Sequence, residues 1–290
     1  MLWLPLALLT ALSESLKDVF GKLILAKTDV YVVAFALRLF SLPFILPLLF
    51  FIEIPVVKPA FYVALITGGL LNVVVTVLYM KAIKHSDLSI TVPFITFTPL
   101  FLLISSPLIL GEYPNIWGMS GVIIIVLGSY VMNLKYKSRS FFEPFKMLLR
   151  EKGPRYMLVV AFLWSITANF DKMGIVNSSP LFWVVSISVF LSVMMFLLLI
   201  VMSRSKIAQL KTHYKGLLPV GLFSAASLIF QMLALNMTLV AYVISIKRTS
   251  ALMGVIFGYF VFKEKGIKQR LIGTIIMLIG VLMIALLHDI

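Results

Sequence analysis

The chain contains no cysteine, which excludes disulfides, zinc–thiolate centres and thiol catalysis. Charge is scarce, at 12% of 290 residues, and negative charge scarcer still, with 11 Asp and Glu against 25 Lys and Arg. A soluble domain of this size needs more polar side chains than that to cover its surface, so a soluble protein is excluded. Histidine occurs only at His85, His213 and His288, all outside the apolar spans, so a histidine metal site would have to be assembled from loops. No Ser-His-Asp set is visible. Gly68-Gly69 lacks the spacing of either nucleotide-binding motif. The expectation is therefore no cofactor and no metal. The formal net charge of +14 could suggest a nucleic-acid partner. Its cations, however, lie in short clusters between apolar runs, which is the pattern of membrane-protein loops and implies no nucleic acid.

What the sequence does have is length of hydrophobic run. It is 61% hydrophobic, with a mean hydropathy of +1.10. Ten spans can be marked, at 2–26, 30–52, 60–82, 88–110, 114–134, 156–176, 181–202, 216–237, 240–262 and 267–287. Each is long enough to cross a bilayer as a helix. No alternating ten-residue pattern points to a membrane barrel. The first span carries Glu14, Lys17 and Asp18 and lacks a basic leader, so it reads as a retained helix rather than a signal peptide. Loops following spans one, three, five, seven and nine hold Lys27, Lys81, Lys84, the basic stretch 135–155, Arg204, Lys206, Lys211, Lys215 and the cations from Lys263 to Arg270; the opposite side holds only Lys58. The positive-inside rule then places stretch 135–155 in the cytoplasm and both termini outside the plasma or inner membrane.

Residues 79–132 align without gaps onto 231–284 at a constant offset of 152, pairing Glu112 with Glu264, Gly121 with Gly273 and Gly128 with Gly280. Apolar helices match leucines by chance, but an acid and two glycines in register are a stronger sign of duplication. The expected fold is thus all-α and integral to the membrane: a first five-helix repeat over 1–134, a basic linker over 135–155 and a second repeat over 156–290. An odd number of helices per half inverts the second half relative to the first, an arrangement that places a central site at the repeat interface. Pro99-Leu-Phe, Leu110-Gly-Glu112, Trp117-Gly118, Gly121 and Leu127-Gly128 resemble the repeat of the EamA-type drug/metabolite transporters. The second half follows with Phe262-Lys-Glu264, Leu271-Ile-Gly273 and Ile279-Gly280, and Phe162-Leu-Trp-Ser165 followed by Lys172 resembles the start of a family half. Ala251 stands where the first half has Pro99, and Lys263 where it has Gly111. The resemblance implies ten helices, a central cavity and secondary transport of small metabolites, often export.

Ionisable residues inside spans are costly and mark candidate functional sites. Glu14, Lys17 and Asp18 share one helix face by their spacing. They are read either as a self-neutralising ion pair or as the proton-coupling group. Lys247 and Arg248 lie in the ninth span, 240–262, read as one continuous helix. With Arg38, Asn72, Asn169, Asp171 and Gln231 they form the candidate substrate-binding set; ion pairing, interface snorkelling and interhelical hydrogen bonding are the structural alternatives. In-span cations outnumber in-span carboxylates, which points to a substrate bearing a carboxylate or phosphate. Glu112 and Glu264, in short turns before the fifth and tenth helices, are expected to cap helix N-termini. The expected activity is secondary transport of a small polar metabolite such as an amino acid or organic anion, not enzymatic, with protons as the coupling ion. Its partners would be that solute and membrane lipids, and the chain would act as a monomer or homodimer. The rivals are a lipid-linked-sugar flippase of the same superfamily and an intramembrane lipid-modifying enzyme.

Overall fold

A computed structural model describes residues 2–25, 27–85, 94–133, 150–250, 253 and 267–287. Among these residues there is no strand. The helices are α1 (Trp3–Leu25), α2 (Val30–Leu39), α3 (Leu42–Ile45), α4 (Pro59–Val63), α5 (Gly69–His85), α6 (Thr98–Leu110), α7 (Ile116–Asn133), α8 (Lys152–Val176), α9 (Pro180–Ser203), α10 (Ala208–Thr212), α11 (Tyr214–Leu235), α12 (Val240–Lys247) and α13 (Ile267–Leu287). Among the described residues, five stretches are long and apolar enough to cross a bilayer: Val30–Phe50, Pro59–Tyr79, Lys152–Val176, Pro180–Lys206 and Tyr214–Leu235. Thr98–Leu110, Ile116–Val131 and Ile272–Leu286 are shorter apolar helices. The chain is a multi-pass membrane protein. Most of the 135–155 linker, Gly254, Gly258, Lys263 and Glu264 lie outside the described residues.

Three apolar runs that read as uninterrupted helices are broken. The run from residue 30 stops at Leu39, turns through Phe40–Ser41, and resumes as α3 and a 3-10 turn, Leu46–Phe50. Pro43 cannot donate to the carbonyl of Leu39, and Pro47 repeats the defect one turn later. The fourth run, which was expected to start at 88, has helical Phe94–Ile95, a turn at Thr96–Phe97, and then α6. Pro99 explains this break, since it leaves the Ile95 carbonyl without its helical donor. The ninth run corrects the expectation of one continuous helix. α12 ends at Lys247, and Arg248–Thr249 form a turn. At the offset of 152, that turn falls on Thr96–Phe97, yet the second break contains no proline. Here the Arg248 N–H turns back to the carbonyls of Ile244 and Ser245, at 3.2 and 3.1 Å.

By contacts the chain divides into two compact units, Met1–Val73 with Phe170–Met237 (unit 1) and Val74–Asn169 with Thr238–Ile290 (unit 2). In unit 1, α1 packs along α11 and α2 along α9. Ile24, Val33, Ala36, Leu217 and Val220 form one apolar cluster, and Val32, Phe35, Met195 and Leu199 another. Phe20 and Phe223 stack at 5.6 Å. The backbone of α11 crosses the end of α2 closely, because a Cβ on Gly221 would lie 2.5 Å from the Phe40 carbonyl carbon.

Unit 2 is dominated by α7 against α13. Their contact needs glycine: a Cβ on Gly121 would lie 2.9 Å from the Gly280 carbonyl oxygen, and one on Gly128 would lie 2.8 Å from that of Gly273. Adding 152 to Gly121 gives Gly273, and subtracting it from Gly280 gives Gly128. The two contacts therefore interchange when the sequence halves are exchanged. Val75, Ala82, Phe94, Met157 and Val160 form a second apolar core of this unit.

Candidate functional site

The ionisable candidates fall into two groups, one in each unit. In unit 1 the i, i+3 spacing on α1 brings Lys17 Nζ to 2.5 Å from Glu14 Oε1. Asp18 Oδ1 lies 3.8 Å from the same ammonium. The second Glu14 oxygen accepts a hydrogen bond from the Ser227 hydroxyl of α11 at 2.8 Å. Glu14 is thus held by both its own helix and the helix α1 packs on. Arg38, in the last turn of α2, interacts electrostatically with Asp171 and then with Glu14. Asp171 is buried and accepts from the indole N–H of Trp183 at 3.1 Å. Lys172 donates to the carbonyl of Leu235, at the C-terminal end of α11, where unsatisfied carbonyls and the helix dipole favour a cation. Gln231 is buried on α11, and Asn72 is half-buried on α5. The structure therefore gathers Glu14, Lys17, Asp18, Arg38 and Asp171 into one electrostatically connected group.

Unit 2 holds Asn169, Lys247 and Arg248. Asn169 is wholly buried, and its amide is used on every side. It donates to Ser105 Oγ at 3.0 Å and the Ser165 carbonyl at 2.8 Å, and accepts from the Ser106 hydroxyl at 2.8 Å. This network joins α8 to α6. Lys247 is the last residue of α12, where its charge complements the helix dipole.

Arg248 lies in the turn that follows, and its setting originates in the break at Pro99. The Ile95 carbonyl, deprived of a backbone donor, accepts the Thr98 hydroxyl proton at 2.7 Å. With its proton committed, the Thr98 oxygen can only accept, and it receives Arg248 Nη2 at 3.0 Å. The guanidinium also lies 5.5 Å from the centroid of the Trp164 ring, within cation–π range. Trp164 in turn packs on Tyr79 at 5.4 Å. Arg248 thus meets the Thr98 hydroxyl from α6 and the Trp164 ring from α8.

Glu112 is a helix cap, as its position before α7 suggested, but the helix is a different one. Its Oε2 accepts from the N–H of Val240, the first residue of α12, at 2.9 Å. The start of α7 is capped by Asn115 instead, which accepts from the Gly118 N–H at 2.7 Å. No local sequence signal marks Ser227, Trp183, Thr98 or Trp164 as partners of the charged groups. Each meets its partner through packing of helices distant in the chain, save Trp183, which folds back from the following helix.

Comparison with known proteins now bears on the whole chain. The family model of the EamA-like transporter family matches residues 1–134 and again residues 152–286. No curated protein matches the chain in sequence. A solved crystal structure is similar over 99% of this chain and 96% of its own, with a TM-score of 0.76 at 12% identity. That likeness bears on the fold alone.

Proposed function

The chain belongs to the EamA-like transporter family, and from that premise we propose that it is a secondary transporter exporting a small organic anion by alternating access. The proposed architecture is ten transmembrane helices in two inverted repeats, 1–134 and 156–290, joined by the basic linker 135–155. Two features support that architecture. The glycine contacts of α7 and α13 interchange with the halves, and the fourth helix of each half breaks at the same repeat position. Broken helices are a recurring device for substrate sites in transporters, since they free backbone groups inside the bundle.

The observation that carries the substrate reading is the placing of Arg248 in one such break, hydrogen-bonded to the residue that follows the other. Its guanidinium offers a planar fork to a carboxylate or phosphate, while Lys247 offers a point charge. The in-span carboxylates Glu14, Asp18 and Asp171 all belong to unit 1. Protons are the proposed coupling ion, exchanged at Glu14, whose ion pair and hydrogen bond must rearrange when it is protonated.

Affinities for candidate anions and their neutral amides, measured on wild type, Lys247→Met and Arg248→Met, test the substrate reading. The expected result is preference for the anion and a loss of tenfold or more (about 1.4 kcal/mol) in Arg248→Met. Equal affinity for anion and amide in wild type would overturn it. For coupling, Glu14→Gln should abolish the pH dependence of transport; unchanged pH dependence would leave Glu14 a purely structural residue. Single cysteines at Ser138 and Asp289 test the orientation, with labelling from outside expected only at Asp289.

A further inference from the structure

We infer that one end of unit 1 is a seat for the headgroups of anionic phospholipids, formed by Lys27, Arg204, Lys206, Lys211 and Lys215. These five cations are exposed, and they come from two connections, α1 to α2 and α9 to α11, and, for Lys215, from the first turn of α11. Tertiary contacts fix the connections to each other. The backbone N–H of Asp29 donates to the side-chain carbonyl of Gln209 at 2.8 Å. Ile207 and Leu210 insert into the apolar cluster of Val32, Phe35, Met195 and Leu199, with Tyr31 beside them. Gly216 closes against Ile24. The 3-10 turn Arg204–Lys206 and the short α10 are thereby pinned by their apolar side chains, which leaves the cationic ones facing outward.

The height of these cations selects lipid as the occupant. Each bearing segment runs straight into a helix whose exposed face is apolar. Val201 and Met202, 78% and 52% exposed, lie three and two residues before Arg204; Leu23 precedes Lys27; Leu218 and Leu222 follow Lys215. Apolar side chains that remain exposed in a membrane protein face hydrocarbon, so the cations one turn beyond them stand at headgroup level. There the phosphates are part of lipids. The two connections contain one carboxylate, Asp29, and its Oδ1 already accepts from the Tyr31 N–H at 2.9 Å. A zwitterionic headgroup brings its own cation into this field, whereas a net anionic one does not, so anionic lipid is favoured. The seat is independent of the substrate reading, since none of its residues belongs to the candidate sites.

The test uses purified full-length protein in neutral detergent, titrated with phosphatidylglycerol, phosphatidylcholine or inorganic phosphate while thermal unfolding is followed. Wild type should be stabilised by phosphatidylglycerol alone, and added salt should weaken the effect. The triple variant K206Q/K211Q/K215Q should bind phosphatidylglycerol on the order of tenfold more weakly or worse, and K58Q, on the opposite side, should bind it as wild type does. Equal stabilisation by the two lipids, insensitivity to salt, an equal effect of phosphate alone, or undiminished binding by the triple variant would each overturn the inference. Because the salt dependence is read on wild type, the inference stays testable even if the variant folds poorly.

Discussion

The two units hold themselves together by different means. Unit 1 brings opposite charges from α1, α2 and α8 together, with Glu14 against Lys17 and Arg38 between Asp171 and Glu14. Unit 2 shows close backbone approach at the glycines of α7 and α13 and the neutral Asn169 network, beside the Glu112 cap on α12. A charge taken out of water needs a partner, so unit 1 is sensitive to removal of any single charge. Close packing needs the absence of atoms, so the α7–α13 contact of unit 2 is sensitive to addition of any, as is the approach of Gly221 to Phe40 in unit 1. The same apolar composition thus supports two kinds of fragility.

The sharpest way to break this contrast is to delete one charge of unit 1. Lys17→Met leaves Glu14 in its place with no ammonium, and a loss of about 3 kcal/mol is expected in denaturant unfolding. The double variant Lys17→Met/Glu14→Gln should recover most of that loss, as a double-mutant cycle would show. If the single and double variants are equally destabilised, the pair is not what holds α1. In unit 2 the corresponding injury is a methyl group. Gly280→Ala places a Cβ 2.7 Å from the Gly121 carbonyl and 2.9 Å from the Ile125 nitrogen, both backbone atoms that no rotamer change can move. The expected cost is about 2 kcal/mol. Gly21→Ala in α1 meets nothing within 4 Å and should instead gain up to about 1 kcal/mol by helix propensity. A melting temperature that falls equally for both would show that the close contact at Gly280 is not what limits substitution there. Asn169→Leu removes the neutral network of unit 2 and should cost about 1–2 kcal/mol, because the serines it leaves can turn to their own helix carbonyls. Smallest is Glu112→Gln, which keeps an acceptor for Val240 but loses the charge at the helix N-terminus, for roughly 0.5 kcal/mol in thermal unfolding.

Much of the architecture was legible because it is written in composition. Runs of twenty apolar residues admit few structures in a bilayer, and Glu14, Lys17 and Asp18 disclose a shared face by spacing alone. The breaks were only half legible. Pro99 announces its own, but the turn at Arg248 has no proline, and only the position of its counterpart at Thr96–Phe97 would have pointed to it. Pairings between distant helices left no local trace. Glu112 looks like a cap from its position, yet a carboxylate before α7 serves whichever helix N-terminus the fold brings near, here one that begins 128 residues later. Likewise nothing around Ser227 marks it as the partner of Glu14, because a serine on an apolar helix ordinarily satisfies itself.

The eight residues of α12 have a mechanical consequence. A helix of that length, roughly 12 Å, is too short to flex appreciably. It behaves as a strut, pinned by the Glu112 carboxylate at one end and hooked through Arg248 to Thr98 at the other. A displacement imposed on the loop that bears Glu112 cannot be absorbed between the two pins. Either the strut carries it to the guanidinium or one of the two hydrogen bonds lets go, so the turn after α6 and the Arg248 side chain are expected to move as one piece.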